Sequence, residues 1–281
     1  MFQKTIKRQI TFSGIGIHSG LNSEVALMPA PENTGIVFLR TDIPSPVPLP
    51  AVISQVSSNT RSTTIGTEPN QVKTIEHLLA AARAFEIDNL NVQINGPELP
   101  IFDGSAAQYV NLFEQAGIAE QTGKRKIIEL EHPVWFSHKD SIMIALPHNQ
   151  LEVVCCIDFP HPLVKSQFFS YSLETVSFGR EIARCRTFGF VEEIQALLDK
   201  QLALGGSLDN AIIVYPDHYS SPLHFPNELV RHKILDIIGD LYLLGAPLKA
   251  KIIAIKPSHS LNHALVKEIV NSKEAKKYAE Y

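Results

Sequence analysis

The sequence predicts an α+β chain of two domains, each a β-sheet packed with helices. Three observations predict it. Strand alternation and helical periodicity both recur in each half of the 281 residues. A polar stretch, AEQTGKRK (119–126), separates the halves and sets the expected domains at 1–122 and 123–281. Finally, EHLLAAARAFEIDNLNVQI (76–94) and RHKILDIIGDLYLLGAPLKAKIIAI (231–255) share a layout. Each has a charged residue followed by His, then an apolar helix, a turn and a strand. The pattern alone leaves duplication open. If the halves are repeats, His77 and His232 meet across a domain interface, a common place for a ligand site.

Taken in order, alternation predicts a strand over Thr5–Ile10, then a glycine-rich turn, SGIGIHSG (13–20). Extended segments follow at Ser23–Met28, Gly35–Arg40 and Val52–Ile53. PSPVPLP (44–50) is a surface loop, since prolines recur too closely for helix. A hairpin around GTEPNQ (66–71) leads to a helix over 74–86, with Thr74 as its N-cap. A strand over 90–96 and a helix over 105–117, ended by Gly117, complete the first half. The second half opens with strands at 127–130, 134–137, 141–146 and 151–159, then a strand-like FFSYSL (168–173). Helices are expected at 178–184, 191–200 and 231–241, and from about Leu261 to Tyr278; strands are expected at 210–216 and 250–257.

Composition excludes some partners. Net charge is −4, which gives no basic footprint for nucleic acid. Three cysteines cannot form a fully paired disulfide framework; Cys155 and Cys156 read as reduced residues on opposite faces of a strand, which favours the cytoplasm. The N-terminus lacks a signal-peptide core, and no segment approaches the ~18 apolar residues of a membrane span.

The chemistry concentrates in RHKILDIIGDL (231–241). His232, Asp236 and Asp240 recur at steps of four on an otherwise apolar helix, each about 40° around from the last. Burying that stripe is costly unless something compensates, and imidazole and carboxylate at i, i+4 can share one cation. The spacing alone equally suits a surface stripe or a satisfied polar pair. His77, His232 and Asp236 would give three ligands and leave an open position, as in catalytic zinc sites; iron(II) suits the same donors. Glu76 sits about 100° from His77 and could serve a metal-bound water as base, or simply favour the first helical turn. His259, in KPSHSLN, is a loop residue or a general acid, and Asp240 could orient its imidazole. His18 has a glycine-rich setting that could approach a phosphate. The remaining histidines, His263 among them, read as solvated loop residues.

Together, TIEHLLAA (74–81) and VRHKILDIIGDL (230–241) resemble the UDP-3-O-acyl-N-acetylglucosamine deacetylase family, the zinc amidases of lipid A biosynthesis. Further matches are GIGIHSG (14–20), IDNL (87–90), PELPIFDGSAAQYV (97–110), IDFPHP (157–162), ARCRTFGF (183–190), LGGSLDNAIIV (204–214) and KPSHSLN (256–262). The resemblance covers about residues 3–270. It implies two β-α-α-β sandwich domains with facing helical layers and a βαβ-type insert at about 188–214.

It also implies roles. His77, His232 and Asp236 become zinc ligands, Glu76 the general base, and His259 the cationic acid oriented by Asp240. Thr187 would stabilise the oxyanion and Lys233 would meet substrate. Phe188, Phe190 and the insert would line an acyl passage, Phe159 would contact uracil, and Lys256 would lie near the diphosphate or sugar. His18 falls near the nucleotide. Ser62 stands where some relatives carry cysteine, near a site wall, and Cys185 replaces a small residue. The family's lysine before the 141–146 strand has no clean counterpart, since the order here is His138-Lys139-Asp140-Ser141.

The expected activity is hydrolysis of the 2-acetamido group of the UDP-linked acylated sugar by a monomeric bacterial cytoplasmic enzyme. No stable membrane anchor is expected, and peripheral contact at the inner membrane is the alternative. Another N-acyl-sugar hydrolase, or a non-catalytic metal-binding scaffold, are the competing classes.

Overall fold

The computed structural model describes residues 1–272 and the strand at 275–277. In the first half the strands are β1 (Phe2–Ile6), β2 (Ile10–Ile15), β3 (Asn22–Pro29), β4 (Ile36–Arg40), β5 (Leu49–Pro50), β6 (Val56–Ser58) and β7 (Thr64–Ile65). Helix α1 (Glu76–Ala84), strand β8 (Leu90–Ile94), helix α2 (Ala107–Ala116) and strand β9 (Ile118–Lys124) follow. The second half adds β10 (Ile128–Leu130), β11 (Val134–His138), β12 (Ser141–Pro147), β13 (Glu152–Asp158), β14 (Ser166–Ser172) and α3 (Thr175–Glu181). Then come β15 (Phe188–Phe190), α4 (Val191–Asp199), β16 (Ile212–Val214), α5 (Glu228–Leu241), β17 (Leu248–Ile255), α6 (His259–Asn271) and β18 (Ala275–Lys277).

The two main sheets repeat one connectivity. β2 and β3 form a hairpin; β8, reached through α1, pairs antiparallel to β3 and parallel to β4. In the second half β11 and β12 form the hairpin, and β17, reached through α5, pairs antiparallel to β12 and parallel to β13. Each central strand alternates: Leu90, Val92 and Ile94 in β8, and Leu248, Ala250, Ile252 and Ala254 in β17, are buried. Those faces carry the helices, and the two helical layers meet where α1 packs on α5. The expected α+β architecture with facing helical layers is therefore present. So is the insert, in which β15 and β16 pair in parallel around α4.

Both central helices are buried well beyond an ordinary amphipathic stripe. Every residue of α1 but Arg83 is buried, and every residue of α5 but Arg231 and Lys233. Gly239 explains how closely they approach. A Cβ there would sit 2.1 Å from the Glu76 carbonyl oxygen, inside van der Waals contact, so only glycine lets α5 lie against the start of α1. That crossing brings Glu76 and His77 to the Asp236–Asp240 turn.

Several local expectations give way. The chain turns between β1 and β2, so 5–10 is no single strand; the Lys7 N–H donates to the Gly117 carbonyl there. The polar stretch at 119–126 is largely strand β9, paired antiparallel with β1. Its side chains are polar because the ribbon lies at the surface, and Gln121 bonds the Ala30 carbonyl and Asn89. Leu49–Pro50 pairs with β4, and Ile53–Gln55 is a 3-10 turn rather than extended. Thr74 does not cap α1: its φ is 59° and its hydroxyl donates to Glu98. The last helix starts at His259, capped by Ser258, and ends at Asn271, where Ser272 turns extended; the rest of the expected stretch is strand β18 or lies outside the described residues.

Candidate functional site

Three donors converge where α1 meets α5. His77 opens α1, and His232 and Asp236 lie one turn apart on α5. Asp236 Oδ1 is 3.7 Å from His77 Nε2 and 3.4 Å from His232 Nε2. The imidazoles meet edge to face, their centroids 5.2 Å apart. His232 Nδ1 lies 3.0 Å from the Cys185 carbonyl oxygen, which only accepts, so Nδ1 carries the proton and Nε2 keeps its lone pair for the centre. His77 Nδ1 is buried with no hydrogen-bond partner. Among the described residues this is the group whose ligand atoms suit one metal ion, all within 4.8 Å of one another. Two imidazoles, one carboxylate and an orphaned buried nitrogen fit a divalent cation of the zinc or iron type.

Electrostatics agree with a cation-ready site. Burial pushes the His232 imidazole down to about 4, against the pull of Asp236, so it stays a neutral ligand. Burial would raise the Asp236 carboxyl, but His232 and Lys233 outweigh it and hold it well below the usual range. Lys233 Nζ donates to Asp236 Oδ2 at 2.8 Å and lies over the Phe188 ring at 5.6 Å.

Beside the triad Glu76 and His259 face each other. Glu76 Oε2 accepts the Thr63 backbone N–H at 3.0 Å, while Oε1 faces His259 Nε2 at 3.9 Å. Burial raises the Glu76 carboxyl, with His259 and His77 pulling the other way. Burial also disfavours the His259 cation, but Asp240, accepting from Nδ1 at 2.7 Å, reverses the sign and lifts it to about 9. His259 Nε2 points toward Asp236 Oδ2, 4.0 Å away. An acceptor and a cationic donor thus flank the same small volume.

A cavity of about 400 Å³ opens over these groups. Its polar end is walled by Glu76, His77, His232, Lys233, Asp236 and His259; Ile194, Leu197, Leu198, Leu208 and Ile213 of the insert make the other end apolar. Thr187 and Phe188 line it too, Thr187 being fixed by backbone bonds to Gly104 and Ile212. His18 lines it from the first half, its backbone N–H held by the buried Glu98 carboxylate.

Other expected residues stand further off. Phe159 and Phe190 are not among the walls but pack against Phe188, with centroids 6.0 and 6.2 Å from it. Lys256 is also outside the cavity, its ammonium held by Asp140 and Asp158 at 2.8 and 3.0 Å. Ser62 is buried beside Thr63 and does not line the cavity. His263, expected to be solvated, is buried on α6 against Asp240. Its position four residues after His259, the same face of a helix, was the available signal. Thr63 and Arg61 reach the site or its supports without any local pattern that marks them, whereas Glu98 and Asn262 lie inside the PELPIFDGSAAQYV and KPSHSLN segments without having been singled out.

Residues 3–271 match the family model described as LpxC: UDP-3-O-acyl N-acetylglycosamine deacetylase. A UDP-3-O-acyl-N-acetylglucosamine deacetylase from Nitratidesulfovibrio vulgaris is 44% identical, over 95% of this chain and 87% of the relative. Proteins of the same name from Chlamydia pneumoniae and Myxococcus xanthus are 42% and 41% identical, covering 97% and 96% of this chain and 98% and 86% of their own lengths. The chain belongs to the UDP-3-O-acyl N-acetylglycosamine deacetylase family.

Proposed function

We propose that this enzyme hydrolyses the 2-acetamido group of UDP-3-O-acyl-N-acetylglucosamine, releasing acetate and a free amine, as the committed step of lipid A biosynthesis. The observation that carries the reading is the buried Glu76–His259 pair flanking the His77–His232–Asp236 donors, at the polar end of a cavity whose other end is apolar. A nucleotide sugar bearing one acyl chain has the same division.

His77, His232 and Asp236 would hold zinc, with iron(II) as the alternative, and the bound ion would polarise the amide carbonyl and acidify water. Glu76 takes the proton of the attacking water as its oxygen bonds the acetamido carbon; its raised pKa suits a proton acceptor. Thr187 steadies the oxyanion. The C–N bond then breaks as the His259 cation, held by Asp240, gives its Nε2 proton to the departing nitrogen. Lys233 meets the sugar or its acyl ester, and Phe188, with Phe190 and Phe159 behind it, orders the aromatic wall. His18 borders the substrate from the first half, and Ser62 supports the wall beside Thr63. Lys256 would contact diphosphate only by exchanging an acidic partner.

Division into domains at 1–122 and 123–281, a monomeric state and a cytoplasmic location belong to this reading. No helix of the described residues is long and apolar enough to cross a membrane.

The test is turnover of the UDP-linked, 3-O-acylated substrate against simple N-acetylglucosamine, with Glu76→Gln and His259→Ala. The acylated nucleotide sugar should be strongly preferred, and each variant should lose about 10²–10⁴-fold in kcat while retaining metal. Full activity in both variants would refute the acid–base assignment.

A further inference from the structure

The geometry points to Thr63 as a positioning residue that holds the base and the acid's carboxylate in one frame, with His263 setting the direction of its hydroxyl. The inference rests on the roles proposed for Glu76, His259 and Asp240. Thr63 comes from the first half, just before β7, and is fully buried. It touches three parts of the site at once. Its N–H donates to Glu76 Oε2 at 3.0 Å, its carbonyl accepts the Ile75 N–H at 3.4 Å, and its hydroxyl lies 2.5 Å from Asp240 Oδ1.

Hydrogen-bond bookkeeping fixes the proton positions. Asp240 is held as an anion: burial opposes this, but His259 and His263 keep its carboxyl well below the usual range. A carboxylate only accepts, so the Thr63 hydroxyl proton points to Asp240. The same oxygen is 2.9 Å from His263 Nε2. With its one proton spent on Asp240, Thr63 can only accept there, so His263 must carry its proton on Nε2. That nitrogen is also 3.3 Å from Asp240 Oδ1, and His263 Nδ1 is buried without a partner. The other carboxylate oxygen, Oδ2, accepts His259 Nδ1 at 2.7 Å and Asn262 Nδ2 at 2.8 Å. Asp240 therefore receives donors from two segments, and cannot rotate without losing one.

The consequence is mechanical. Thr63 ties Glu76 Oε2 through its backbone and Asp240 Oδ1 through its side chain, which leaves Glu76 Oε1 facing His259 Nε2 across the reacting volume. Thr63→Val keeps the shape and the backbone bond to Glu76 but removes the hydroxyl bridge. Thr63→Ser keeps the hydroxyl.

The experiment combines steady-state kinetics with ¹⁵N NMR of the histidine rings. Thr63→Val should lower kcat about tenfold or more with KM within about twofold, since a hydrogen bond to a charged group is lost. Thr63→Ser should restore kcat to within about threefold. Independently, ¹⁵N shifts of the wild-type protein should show His263 protonated on Nε2, a readout available even if Thr63→Val does not fold. An Nδ1–H tautomer, or a folded Thr63→Val with wild-type kcat, overturns the proposal while leaving the deacetylase reading intact. Loss of turnover in wild type itself would instead overturn that reading, and this one with it.

Discussion

The two halves share a frame and divide the chemistry unequally. α1 and α5 occupy equivalent places, each leading to the central strand of its sheet, and each carries His after a charged residue. In α1 that charged residue is Glu76, turned inward against His259. In α5 it is Arg231, turned outward, its guanidinium stacked 3.7 Å over Phe169. One turn on, the contrast reverses. Asp236 follows His232, but Ala81 follows His77, small and fully buried. The repeated connectivity thus supplies equivalent placement, and the differing residues put a buried carboxylate beside His259 in one half and beside His232 in the other. Gly239 on α5 keeps the crossing tight, bringing His77 within reach of the Asp236 carboxylate.

That account breaks most severely at the crossing. Gly239→Leu should leave little folded protein, because the side chain meets the Glu76 backbone rather than a flexible tip. Even Gly239→Ala should cost about 3 kcal/mol or more, read as a lower urea midpoint, and should lower kcat because Glu76 moves with its helix. Unchanged stability and activity would mean that the helices do not meet at this residue.

A smaller effect separates the acid from its partner. The folded His259 value is raised to about 9 from an ordinary 6.5, so its cation, and the stability it confers, is complete below about 6.5 and lost as pH rises through about 9. Activity that requires this cation should fall along the same alkaline limb. Asp240→Asn removes the largest raising influence and leaves burial, which lowers the value. The alkaline limb of kcat/KM should therefore move down by more than one pH unit; an unmoved limb would assign it to another group.

The mildest change tests the insert; between β4 and α1 the first half carries instead the antiparallel β6–β7 pair. Leu198→Asp at the apolar end should raise KM for a long-chain substrate about tenfold with little change for a short-chain one. Equal effects on both substrates would place the acyl chain elsewhere.

Much of this was legible in the chain because it is local. The i, i+4 spacing of His232 and Asp236, the matching His77, and the alternation of β8 and β17 are each written in a few consecutive residues. What escaped depends on partners distant in sequence. β9 reads as a linker because its Gln121 side chain is satisfied by Ala30 and Asn89 and its Lys124 carbonyl by Gln3, far back in the chain. Thr63 sits in a polar run without periodicity, and its importance comes from Asp240, 177 residues away. Thr74 looks like a cap until Glu98 claims its hydroxyl. The His232–Asp236 stripe could be read without the fold; the frame around Glu76 and His259 could not.

The central claim is that the halves build one metal site together. Zinc content and affinity of wild type, His77→Ala and His232→Ala, measured on the purified proteins by elemental analysis and chelator competition, test it most directly. The account predicts stoichiometric metal in wild type and a loss of affinity of about 100-fold or more in both variants, the ligand from α1 counting as much as the ligand from α5. A His77→Ala protein that kept wild-type zinc affinity would show that the second half holds the metal alone, and would contradict it.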